Sequence, residues 1–286
     1  MQNFFVKSHG LGNDYIVLNR EKIEFELTEK AIIKICDVHY GIGSDGILLK
    51  VPSSVADFGL RILNPDGSEA EKSGNGLRIF AKYLYDYKYT IEKIFTIETP
   101  GGIVRAEIIE IKNEKASTIK VEMGKAIFES SKIPVDCENE ECINETLHLE
   151  YRDYQINCVS VGNPHCVVLK DELDVSEIMT FGAQIETNKM FPNRINVQFA
   201  KVISPTEVEI LIWERGAGWT LASGSSSCAV ACIAIKCGLT ERKLKIKMPG
   251  GSLKIEIDIE WNIEMTGEVR EIASGIFSDE LIQNLK

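Results

Sequence analysis

Asn64-Pro65-Asp66-Gly67-Ser68-Glu69-Ala70-Glu71-Lys72-Ser73-Gly74-Asn75-Gly76-Leu77-Arg78-Ile79-Phe80 is the stretch whose reading sets the fold. Asn64 to Gly67 is a turn: proline fixes one torsion and glycine is free to take positive φ. Ser73 to Gly76 is a second corner, opening onto Leu77, Ile79, Phe80, Ala81, Tyr83 and Leu84. A helix with apolar residues on nearly every side has no solvent face, so it is expected to be buried. The start of such a helix presents unpaired N–H groups and the positive end of a dipole, which suits a carboxylate or an activated nucleophile.

A second copy lies downstream. Arg215-Gly216-Ala217-Gly218-Trp219-Thr220-Leu221-Ala222-Ser223-Gly224-Ser225 leads into the apolar run Cys228-Ala229-Val230-Ala231-Cys232-Ile233-Ala234-Ile235. Pro100-Gly101-Gly102 in the first half is matched by Pro249-Gly250-Gly251 in the second. Matching punctuation points to an internal duplication, with Ser73 and Ser223 in equivalent places. Two equivalent half-sites suggest one cleft with a reactive group on each side, the arrangement a racemase needs. For either serine alone, simple helix capping is the better reading. The pair, within an ordered motif set, is not explained that way.

A chain of 286 residues is above the usual single-domain size, and 44% hydrophobic residues are ample for two cores. The net charge of −11, from 32 basic and 43 acidic residues, argues against nucleic acid and anionic membrane as partners. No apolar run approaches a membrane span. The N-terminal residues lack the basic start and apolar core of a signal peptide, so a cytoplasmic location is expected. The eight cysteines are read as small buried hydrophobes. Cys137 and Cys142 flank an acidic run, but no second pair has ligand spacing, so no metal is expected.

Taken in order, residues 3–8 read as an edge strand and Tyr15 to Leu18 as another. Residues 28–38 read as a helix capped by Thr28. Strands are expected at 47–51, 58–63, 91–98 and 103–110, with the buried helix running to about Tyr85. Polar residues 112–118 are taken to close the first domain. The second half repeats the theme, with a helix near 174–183 and a strand at 208–213. A last strand near 269–278 is placed back with the first domain. The expected domains are therefore 1–118 completed by 270–286, and 119–269. Strand-rich, helix, strand-rich order in each half argues for α+β.

With both corners in hand, the chain resembles the diaminopimelate epimerase family of pyridoxal-independent amino-acid epimerases and racemases. The likeness spans essentially the full length. It rests on His9-Gly10-Leu11-Gly12-Asn13-Asp14, Gly41-Ile42-Gly43, Asn64 through Gly76 and Gly162-Asn163-Pro164-His165. It continues through Arg194-Ile195-Asn196-Val197, Glu214 to Gly218, and Ala222-Ser223-Gly224. The resemblance implies two pseudo-symmetric α+β domains, each a curved mixed sheet wrapped around a central helix, with an amino-acid substrate between them. It implies no cofactor: neither metal, pyridoxal phosphate nor nucleotide. The implied activity is epimerisation of LL-diaminopimelate to the meso form, in lysine and peptidoglycan precursor synthesis. Racemisation of another amino acid is the alternative. A homodimer is left open as the oligomeric state.

By the same resemblance, Asn64, Asn163, Asn196, Glu214 and Arg215 would hold the distal amino and carboxylate groups. Gly74, Asn75, Gly224 and Ser225 would bind the reacting carboxylate through N–H groups at the helix starts, and Asn13 would line the cleft. A guanidinium holds a carboxylate in a fixed fork, and helix N-termini aimed at one carboxylate stabilise carbanion-like charge.

The chain departs from the family at its centre. The family's two acid/base residues are cysteines, at the positions of Ser73 and Ser223. A thiol at a helix start has its pKa drawn from about 8.5 toward neutrality, whereas a serine hydroxyl needs a neighbouring base. Three explanations fit: a double Cys→Ser variant that is inactive and traps substrate, a natural homologue that uses serines, or a non-catalytic amino-acid binder. The first is favoured because the change is symmetrical, nearly isosteric and confined to the two slots. Trp219 is a smaller departure, standing where the family motif is often acidic.

Overall fold

Repetition of one strand-and-helix plan governs the computed structural model, which describes residues 2–285. The chain divides into two compact units, Met1–Val121 with Gly267–Lys286, and Glu122–Thr266.

In the first unit, β1 (Phe4–Gly10) and β2 (Asn13–Asn19) form an antiparallel hairpin. Thr28 caps α1 (Glu29–Cys36), its hydroxyl accepting the Ala31 N–H at 3.2 Å. The chain then crosses to β3 (Ile47–Val51), parallel to β2. β4 (Phe58–Leu63) returns antiparallel and turns through Asn64–Gly67 into the short β5 (Glu69–Ala70). α2 (Gly74–Asp86) follows. β6 (Ile94–Thr99) lies parallel to β4, and the unit continues through β7 (Gly102–Lys112) into β8 (Lys115–Lys125).

The second unit repeats this. β9 (Ile143–His148) pairs with β10 (Asp153–Ser160), and β10 with β11 (Pro164–Leu169). α3 (Val175–Glu186) crosses to β12 (Asn196–Ser204), parallel to β11. β13 (Glu207–Glu214) and β14 (Gly218–Thr220) lead to α4 (Gly224–Lys236). β15 (Lys243–Met248) runs parallel to β13, then come β16 (Gly251–Ile257) and β17 (Asn262–Glu268). Finally β18 (Arg270–Ile276) pairs antiparallel with β1 and is followed by α5 (Asp279–Gln283). β18 thus completes the first unit as β9 completes the second.

One expectation is corrected. β1 is an internal strand, held by β2 on one side and β18 on the other. Its second neighbour comes from the far end of the chain, which local alternation cannot reveal. The polar stretch 112–118 holds the turn of the β7–β8 hairpin, with Asn113 and Glu114 both at positive φ, and runs on into β8.

Each helix starting at a glycine corner is enclosed by its own sheet. α2 packs against β1, β2 and β7, and is buried from Gly74 to Leu84. α4 packs against β10 to β13, β15 and β16. Leu77, Ile79, Phe80 and Leu84 are fully enclosed, and each such side chain contributes about 1.5–3 kcal/mol by leaving water. The same helix also buries two cations. The Arg78 guanidinium donates to the Gly74 carbonyl at 3.3 Å and to Asn75 Oδ1 at 2.7 Å. Lys82 Nζ donates to Asp86 Oδ2 at 2.7 Å and to the Ala116 carbonyl at 2.6 Å, while Asp86 Oδ1 accepts the Ala116 N–H at 2.8 Å. This clamp ties the end of α2 to β8.

Because Lys82 and Asp86 are both buried, losing one partner leaves the other charge uncompensated. Asp86→Ala is expected to lower the unfolding free energy by roughly 3–5 kcal/mol, whereas Lys82→Met with Asp86→Leu recovers most of that loss. Urea unfolding of the three proteins measures both effects.

Candidate active site

The first corner is built at the start of α2. Ser73 has extended backbone (φ −141°, ψ 118°), and its hydroxyl oxygen accepts the Gly76 N–H at 3.1 Å. Gly76 is required for space. A Cβ there would lie 3.0 Å from Leu48 Cδ2 and 3.2 Å from both Cβ and Oγ of Ser73. Asn75 is buried and donates through Nδ2 to Asn13 Oδ1 at 3.1 Å, and Asn13 Nδ2 donates to Asp45 Oδ2 at 2.9 Å. Asp45 also accepts the Asp14 N–H at 3.0 Å. The fold therefore brings Asn13, Asn75 and Asp45 into one polar chain. Asn64 is engaged in its own turn, where its Nδ2 donates to Ser68 Oγ at 2.9 Å. Tyr15, which sequence reading passed over as a strand residue, places its hydroxyl 3.2 Å from Ser73 Oγ.

The second corner follows the same plan with softer partners. Ser223 is buried and extended (φ −144°, ψ 128°). Its Oγ accepts the Ser226 N–H at 3.4 Å and lies 3.5 Å from Ser225 Oγ. Its backbone N–H points at Met248 Sδ at 3.4 Å. Ser226 Oγ accepts from Gln198 Nε2 at 3.0 Å. Nearby in the sheet, Asn163 Oδ1 is 2.9 Å from His165 Nε2. Asn196 Nδ2 donates to the Pro164 carbonyl at 2.8 Å, and its Oδ1 accepts the Arg215 N–H at 3.0 Å. Asn196 thereby joins the segment holding Asn163 to the segment holding Arg215.

Arg215 is exposed, and its guanidinium donates to the Asn193 carbonyl at 3.1 Å. Glu214, at the end of β13, is half-buried. The residue that fixes this region was not foreseen. Glu186, buried at the end of α3, accepts from Trp213 Nε1 at 2.8 Å and from the Gly216 N–H at 2.8 Å, and pairs with Arg194. One carboxylate thus secures the Arg194–Asn196 strand entry and the Arg215–Gly216 turn. Trp219 sits across from Trp213 in the β13–β14 pair and packs on the second unit's core. Its apolar body is explained by that packing.

The environment of His165 sets its chemistry. The ring is fully buried, and its pKa is pushed down to about 3. Burial is the main cause, the Gln198 contact opposes it in part, and the positive charge of Arg215 adds to it. The imidazole is therefore neutral at physiological pH, so it holds Asn163 as an uncharged partner. Unfolded, this histidine takes up a proton below about 6.5, whereas folded it stays neutral down to about 3. Its contribution to stability is thus fully present above about 6.5 and is lost as pH falls from there toward 3. By pH 5 this linkage amounts to about 2 kcal/mol. Chemical denaturation at pH 7 and pH 5 is expected to show that loss, and His165→Gln to make it shallower by a similar amount.

Comparison with known proteins extends over both units. The family model described as diaminopimelate epimerase matches residues 5–129 and 157–272. A diaminopimelate epimerase 2 from a Nostoc species is 49% identical over 278 residues, covering 97% of this chain and 96% of that protein. A diaminopimelate epimerase from Caldanaerobacter subterraneus is 40% identical over 271 residues, covering 95% and 98%. Among solved structures, a probable proline racemase from Agrobacterium radiobacter K84 matches with TM-score 0.71 at 14% identity, covering 96% of this chain and 93% of the other. A methylitaconate-delta-isomerase matches with TM-score 0.66 at 13% identity, covering 96% and 95%. At such low identity the structural matches speak for the α+β fold alone. Near-complete coverage at 40–49% identity speaks for descent, and the chain belongs to the diaminopimelate epimerase family of isomerases.

Proposed function

We propose that this chain acts on LL-2,6-diaminopimelate, with Ser73 and Ser223 in the two proton-transfer seats of a cofactor-free epimerisation to the meso form. The observation that carries this is the repeated corner. Each serine is the N-cap of an enclosed helix, and each Oγ already accepts one N–H of the first turn. A carboxylate bound at such a start meets backbone donors and the positive dipole end, which stabilise the charge that appears when the α-proton leaves. In this reading Gly74, Asn75, Gly224 and Ser225, which open the two helices, do this. Glu214 and Arg215 match a distal ammonium and carboxylate, and Asn13, Asn64, Asn163 and Asn196 supply neutral donors and acceptors.

The chemistry requires both seats to reach one α-carbon. One takes the proton and leaves the electron pair on the carbon, delocalised into the carboxylate. The other returns a proton to the opposite face. Serine oxygens are poor at the first step because a hydroxyl is far less acidic than a thiol, so little of the basic form exists at neutral pH. Turnover by this chain is therefore expected to be slow or absent. The serine pair also favours a second reading, an amino-acid-binding protein that does not turn its ligand over.

Ser73→Cys with Ser223→Cys separates these. Incubated with LL-diaminopimelate in deuterated water, the double variant is expected to exchange the α-proton and form the meso isomer at least ~10²-fold faster than the unsubstituted chain, the scale of an acid–base contribution. NMR follows both events. Tight binding by calorimetry with no exchange in either protein points to the binder. Exchange with another amino acid in a substrate panel, but not with diaminopimelate, points to a racemase of different specificity.

A further inference from the structure

The two corners are assembled from equivalent parts that differ in one chemical respect. Asn13 and Tyr15 stand 150 positions before Asn163 and His165 (163 − 13, 165 − 15), the spacing that separates Ser73 from Ser223 (223 − 73). Strand register agrees. β2 lies parallel to β3 with Ile16 opposite Ile47, and β11 parallel to β12 with Cys166 opposite Val197. Tyr15 and His165 therefore hold the same place in their units. His165 turns to Asn163, whereas the Tyr15 hydroxyl reaches Ser73 Oγ at 3.2 Å.

Gly46 makes that reach possible. It sits at φ 153°, and a Cβ there would lie 2.9 Å from Tyr15 Cε1 and 2.6 Å from the Leu63 carbonyl oxygen. The equivalent residue of the second unit is Asn196 (196 − 46 = 150). The phenol ring is buried against this bare backbone, at 7% exposure. Its orientation is thus fixed by packing rather than by the hydroxyl contact alone.

We infer that Tyr15 is a positioning residue for Ser73, donating its phenol hydrogen to the seat oxygen and making that seat the better proton donor of the two. This rests on Ser73 being a proton-transfer seat. With Gly76 N–H and Tyr15 O–H both aimed at Oγ, the serine's own hydrogen is left to point outward. When the carbanion's electron pair takes that hydrogen, the negative charge left on Oγ is held by two donors. In the limit the phenol proton passes to Oγ, and the phenolate recovers one from water. Among the described residues, Ser223 Oγ has the longer Ser226 N–H bond and the Ser225 hydroxyl contact. The charged groups around the Ser73 corner are Asp14, paired to Lys7, together with Asp45, Lys72 and Arg78.

The test needs no substrate. Ser73→Cys is made with and without Tyr15→Phe, and the new thiol is titrated by its rate of alkylation with iodoacetamide across pH 5–10, read on its own peptide by mass spectrometry. A donor to the thiolate lowers its pKa. Loss of the phenol hydroxyl is therefore expected to lower the thiolate fraction at pH 7 by roughly three- to tenfold. Ser223→Cys in the same two backgrounds is expected to show no change. Coincident profiles for the thiol at position 73, or equal shifts at both seats, overturn the inference. If the double Cys protein fails to exchange diaminopimelate while the profile still moves, the substrate assignment falls and the role of Tyr15 stands.

Discussion

A helix enclosed by a curved sheet has no water at its first turn, and the N–H groups there must be met by protein or by a ligand. That constraint shapes both units. In each, a serine in extended conformation supplies one acceptor to the first turn, and in the first unit a Cβ at Gly76 would crowd Leu48 and Ser73. The remaining donors and the dipole are directed at the corner itself. Burying the helix thus leaves first-turn donors to be met at the corner, and the duplicated fold repeats that corner.

Around this constraint the two units have diverged in their polar interiors. The first surrounds its corner with charge: Arg78, Asp45, Asp14 and Lys7 are linked through Asn75 and Asn13. The second uses neutral groups at the equivalent places, a buried imidazole, Gln198 and Ser226. The charge it does bury, on Glu186, is spent on holding a strand entry and a turn. Buried charges are tolerated only when paired and hydrogen-bonded, and the buried Arg78 and Glu186 each engage neighbouring groups. The two serine corners are therefore chemically different.

Much of the plan was legible from residues alone. The turn at Asn64–Gly67, the cap at Thr28, the glycine corners and the matching Pro-Gly-Gly pairs are local signals with local causes. They gave the elements, the α+β class and the duplication. What was missed was non-local. β1 looked like an edge because its second neighbour, β18, arrives from the other end of the chain. The sequence reading did not take up Lys82 and Asp86, since nothing in a sequence says that a backbone amide and carbonyl at Ala116 will meet them.

The candidate site divides the same way. Residue order by itself determined which side chains sit at the corners, because Ser-Gly before an apolar helix encodes its own geometry. It also put a serine ahead of each of the two enclosed helices. Only the tertiary structure decided that a phenol contacts Ser73, that His165 is neutral, and that Glu186 holds the Arg194 and Gly216 segments. Those facts depend on distance and burial between residues far apart in the chain. Electrostatic strength and hydrogen bonding are set by such separations, which no spacing along the sequence specifies.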